Sequence, residues 1–130
     1  MKPIALTAMI LALASPVLAQ EPDPGRETYT TYCAACHGLE AQGDGAMSEI
    51  ISMPIPDLTQ LSANNDGMFP MLEVIHIIDG RTGLRGHGGP MPVYGALFDQ
   101  EAANPGPYGA PLYTRGKILS LVYYLEAMQN

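Results

Sequence analysis

The sequence predicts an all-α domain: three main helices joined by long Gly- and Pro-rich loops, closed around something other than its own side chains. Three observations carry this. Apolar residues recur at helical spacing in three stretches. The chain holds 14 Gly and 12 Pro, so much of it must be loop, and loops bury little apolar area. It has no Trp and only 2 Phe, which leaves a thin side-chain core.

The first nineteen residues stand apart. Lys2 precedes an apolar run from Ile4 to Leu18, and small residues follow at Ala14, Ser15 and Ala19, the order of a secretory signal peptide. Thr7, Ser15 and Pro16 interrupt the run, so an uncleaved membrane anchor is the weaker reading. Cleavage is expected after Ala19, giving a signal peptide over residues 1–19 and one domain over residues 20–130. Export to the periplasm follows. The remaining 111 residues (130 − 19) suit one core and not two.

The first helix is expected from Pro24 to Cys36, with Pro24 in its first turn and Tyr29, Tyr32 and Cys36 at helical spacing. The second is expected from Phe69 to Asp79, with Leu72, Ile75 and either His76 or Asp79 on one side and Gly80 as its stop. The third runs from Thr114 to Met128, where Ile118, Leu121, Val122, Leu125 and Met128 follow one face over four turns. Between them lie Gly38 to Asp57, Gly80 to Gly95 and Asn104 to Pro111. Loops this long in a small domain usually bind or cover something.

Charge excludes one class of partner. The net charge is −7, and loss of Lys2 with the signal leaves 5 basic against 13 acidic residues, hence −8. Such a surface repels nucleic acid and anionic lipid, so neither nucleic-acid binding nor stable membrane insertion is expected. A partner protein with a basic patch is its electrostatic complement, and a monomer is expected.

Both cysteines fall in Cys33-Ala34-Ala35-Cys36-His37. The spacing C-x-x-C-H is a haem-attachment pattern: two thiols on a helical turn can each add to a vinyl group, and the adjoining imidazole falls beneath the iron. Three other readings compete. A dithiol redox centre would sit beside a βαβ pattern, and no strand with a crossover helix is evident around residues 20–50. A zinc site would need four ligands, and beyond these three the chain offers only His76 and His87 as further imidazoles, with no second C-x-x-C. A structural disulfide is the blandest option in an exported protein, but one enclosing two residues constrains the unfolded chain little.

With this pentapeptide in a helical frame and Met91-Pro92-Val93-Tyr94-Gly95 far downstream, the sequence resembles the class I c-type cytochromes, in particular small bacterial periplasmic ones. Gly25-x-x-x-Tyr29-x-x-x-Cys33 looks like that family's N-terminal helix, and Leu121 to Leu125 like its partner helix. The resemblance implies a cytochrome c fold, one covalent haem c and iron held by His37. It implies that the Pro56 carbonyl, in Pro56-Asp57-Leu58, accepts the proximal imidazole proton, and that Met91 is the sixth ligand. Two departures stand out: a Pro/Gly-rich insertion from Ala96 to Leu112, and no basic docking ring as in the mitochondrial type.

Among eight methionines, Met91 is favoured because it lies between Gly88-Gly89-Pro90 and Pro92, where regular helix is excluded, with Met53 and Met47 as the remaining candidates. Arg81 and Arg85 are the only cations near this loop, and at least one is expected to neutralise a haem propionate. His76 reads as a packed or solvent-facing helix residue and His87 as a surface-loop histidine. Gly43-Asp44-Gly45 resembles part of a phosphate loop but lacks the following Lys and helix, so it reads as a turn. The functional expectation is a carrier of single electrons and not an enzyme. The alternatives are a haem enzyme with weakly ligated iron, such as a peroxidase or gas-binding protein, and a fixed subunit of a larger oxidoreductase.

Overall fold

The computed structural model describes residues 22–81, 91–102, 106 and 108–130. Its elements are α1 (Pro24–Tyr32), α2 (Ala34–His37), three short 3-10 turns between Ala46 and Asn65, α3 (Met71–Asp79), α4 (Tyr94–Glu101) and α5 (Gly109–Ala127). The described residues form helices, turns and loops with no strand, the all-α arrangement that the sequence predicts.

Helix α1 starts where Asp23 accepts hydrogen bonds from the Gly25 and Arg26 amides at 2.9 and 3.1 Å, with Pro24 in the first turn where no amide is needed. Gly25 then lets α5 cross closely, since a Cβ there would run into the Ser120 carbonyl. Tyr29 is buried below the crossing and donates its hydroxyl to the Gly38 carbonyl at 2.6 Å. The single helix expected over Pro24 to Cys36 is in fact two. The ladder breaks at Cys33, and α2 is a separate turn stopped by Gly38 in a positive-φ conformation.

The loop after α2 is tied back onto it. Gly43 and Gly45 donate their amides to the His37 and Cys36 carbonyls at 2.8 and 3.1 Å, and Leu58 donates to Ala41 at 2.8 Å. The two glycine amides of Gly43-Asp44-Gly45 are therefore spent within the chain. Helix α3 ends at Gly80 as expected, where the Gly80 and Arg81 amides both donate to the His76 carbonyl. Its buried face differs from the expected one. Val74 and Ile78 point inward while Leu72 is 64% exposed. Apolar residues at almost every α3 position leave spacing unable to choose a face.

Two further boundaries need correction. The stretch Ala96 to Leu112, expected as a Pro/Gly-rich insertion, contains most of α4, which buries Tyr94, Gly95 and Phe98. Helix α5 begins at Gly109, five residues before the expected start, and accommodates Pro111 in its first turn. Its inward residues Ile118, Leu121, Val122 and Leu125 match the expected face and pack with Tyr29 and Phe98 in one core. Beyond it, Gln129 accepts from the Ser62 amide at 2.9 Å and donates to the Leu58 carbonyl at 2.8 Å, fixing the loop that follows Pro56.

Candidate functional site

Helix α2 and its leading residue place three reactive side chains together. Cys33 is buried, Cys36 is half-buried, both are free thiols, and both open onto one cavity of about 370 Å³ with His37. Burial, with the Cys36 thiol beside it, pushes the Cys33 thiol up to about 12.

His37 is 8% exposed. Its Nδ1 lies 3.3 Å from the Pro56 carbonyl oxygen, the acceptor expected from the sequence. A carbonyl can only accept, so Nδ1 carries the proton and Nε2 keeps the lone pair. Burial lowers the imidazole's proton affinity, and the hydrogen bond to Pro56 offsets this only in part. The side chain is thereby held neutral, the state in which histidine ligates iron.

Residues just before and at the start of α4 also line the cavity. Met91 is half-buried, packs against the core and lines the cavity. Pro92 and the buried Tyr94 follow it on the same wall, and Val93 wedges against Gly80 at the end of α3. Met53 also lines the cavity, although it is 56% exposed. Met47 lies in a 3-10 turn away from the lining.

Arg81 forms an ion pair with Asp79, its neighbour two residues back, and its side chain is 61% exposed. Arg85 and His87 lie outside the described residues. His76 is on α3 and does not line the cavity.

Sequence reasoning missed the aromatic wall. Tyr32 lines the cavity and donates its hydroxyl to Glu101 at 2.5 Å, and Glu101 pairs with Lys117 at the same distance. The Lys117 ammonium lies 4.7 Å from the Tyr32 ring centre and 4.4 Å from that of Phe98. The Tyr94 hydroxyl donates to the Tyr32 carbonyl at 2.7 Å. The partners of Tyr32 come from more than sixty positions away, so no local pattern announces them. The i, i+4 pair Tyr94 and Phe98 was the one readable sign of α4.

The donor set fits a covalently attached haem. Two thiols sit on one wall beside a neutral imidazole with a free Nε2, a thioether lines the same cavity, and most of the remaining wall is proline, isoleucine and tyrosine. Among the described residues no group of three or more His, Cys, Asp or Glu forms a metal site of its own.

A family model described as Cytochrome c matches residues 22–108, about two thirds of the chain. No match was found among curated proteins or among solved structures. The matched span includes the attachment cysteines, His37, Pro56 and Met91 and stops short of α5. With that span matched, over a cavity whose thiols, imidazole and thioether suit the covalent, iron-containing haem c that the family binds, the chain belongs to the cytochrome c family of haem-binding electron-transfer proteins.

Proposed function

We propose that the chain is an exported carrier of single electrons, with His37 and Met91 as the two axial ligands of its iron, moving between redox proteins of the periplasm. One observation carries the reading: the His37 imidazole and the Met91 thioether face the same cavity onto which Cys33 and Cys36 open.

The haem supplies a reversible one-electron change at iron. The residues of the chain determine how it is used. Cys33 and Cys36 hold the ring by covalent bonds, and Pro56 orients His37 so that Nε2 points away from its own hydrogen bond. Met91 offers a soft sulfur donor that favours the reduced state relative to a second nitrogen ligand. With His37 and Met91 both available to it, the iron would keep no site for a substrate, which favours a carrier over a peroxidase or a gas-binding protein. The charge of −7 favours partners with a basic contact surface.

The test is an optical spectrum of the exported protein, oxidised and reduced, for the parent chain and for Met91→Ala. The parent should show low-spin iron with a thioether-to-iron band that Met91→Ala abolishes. Loss of that band in Met53→Ala instead would move the axial role to Met53. Rapid carbon monoxide binding by the parent at neutral pH would favour the enzyme. Mass analysis of the mature chain should place Gln20 first.

A further inference from the structure

Helix α5 is apolar on two opposite faces. The inner one is fully used in the core. On the outer one Leu112 is 73% exposed, Leu119 41% and Tyr123 55%, and Tyr108, just before the helix, is 84% exposed. Their spacing sets them along one side of the helix. Between Leu112 and Leu119 on that side lies Gly116, where an added Cβ would meet nothing within 4 Å. A surface helix normally turns polar residues outward, and an apolar outer stripe marks a contact surface. A groove of about 720 Å³ between α1 and the first half of α5, lined partly by Leu112, Tyr113 and Gly116, continues the stripe on one side.

The stripe reads the same from both ends. Tyr108 and Tyr123 are equally far from the midpoint between Arg115 and Gly116, and so are Leu112 and Leu119. A two-fold axis through that midpoint makes the stripe its own complement. Two antiparallel α5 helices would set Tyr108 against Tyr123 of a second copy and Leu112 against its Leu119. The missing side chain at Gly116 would let the two backbones approach at the axis. The chain already uses this device internally, where Gly25 admits the Ser120 backbone.

We propose that the outer face of α5 is a self-complementary interface through which two copies of this chain pair antiparallel across Gly116, in place of the single copy expected from the sequence. The pairing is weak and strengthened by salt. Four large side chains per copy, spread over about 24 Å of helix, cover less than the ~800 Å² per partner of a stable interface. Arg115 of each copy flanks the axis with no ion-pair partner among the described residues, and each chain carries −7, so like charges oppose the contact until they are screened.

Sedimentation of the haem-loaded chain over a wide concentration range tests this. The mass should rise from one copy towards two on concentration, and at lower concentration when salt is added. Gly116→Gln should weaken pairing by about tenfold or more, equivalent to about 1.4 kcal/mol. It should leave the melting temperature of the single copy unchanged or higher, because Gly is the poorer helix former and the site is open. Leu119→Gln should weaken pairing as well. A single-copy mass at every concentration, the result expected if a different protein covers the stripe, would overturn the proposal. So would pairing that survives both substitutions, which places the contact elsewhere, or pairing that salt dissolves.

Discussion

Gly43 adopts φ +82° and stands so close to the Ile55 carbonyl that a Cβ would overlap it. A side chain there meets both a strained backbone and a main-chain obstacle one residue before Pro56. Gly43→Ala should destabilise the protein by about 1–3 kcal/mol in a urea titration. It should also disturb the His37 environment, seen as a shifted imidazole resonance, because the Pro56 segment must move to make room. The site was most legible at this residue scale. Cys33, Cys36 and His37 announce themselves because attachment chemistry demands a fixed local spacing, and Met91 stands out because glycine and proline bar helix around it. Tyr32 carried no such mark, since its role depends on Glu101 and Lys117 arriving from distant helices.

Between elements, the Glu101–Lys117 pair joins α4 to α5 and, through Tyr32, to the end of α1. Hydrogen bonds from Lys117 and then Tyr32 hold the Glu101 carboxyl below its ordinary range. Burial pulls the Lys117 ammonium down, but the bonds to Glu101 and Tyr113 outweigh it and leave the group raised. The depressed carboxyl contributes stability above its unfolded pKa of about 4.3, and this is lost as pH falls through the folded value. The raised ammonium contributes below its unfolded pKa of about 10.4, lost as pH climbs through the folded value. Unfolding measured across pH should therefore show less fall-off at both extremes for Glu101→Gln with Lys117→Met than for the parent. Equal pH profiles would remove the pair from the account of stability. The 3.6-residue period located the three main helices and gave the buried face of α5, but it missed the break at Cys33 and chose the wrong face of α3. Helix α4 was not readable, because eight residues flanked by proline and containing Gly95 resemble a loop until Phe98 is seen to be buried.

For the whole molecule, the shortage of large apolar side chains has a direct test. A Cys33→Ser, Cys36→Ser chain, which cannot hold a haem covalently, should lose its cooperative thermal transition, because the cavity walls would have nothing to pack against. A sharp transition in that variant would show that the side chains suffice. Net charge belongs to this scale too. Reduction by a basic redox protein should slow as ionic strength rises, and Ala35→Lys, at an exposed position beside the attachment cysteines, should slow the encounter further. A rate flat in salt would discard charge steering.

The crossing of Gly25 over Ser120 brings together two points separated by nearly the whole described chain. Closing so large a loop costs entropy that the finished contact must offset. Cys33 lies just beyond that crossing and is 8% exposed once it has formed. A thiol so covered is open to reaction only while the two ends of the chain are apart. Attachment at Cys33 therefore precedes the closed fold, and a haem-free chain cut before α5 should be alkylated at Cys33 no faster than the haem-free full-length chain.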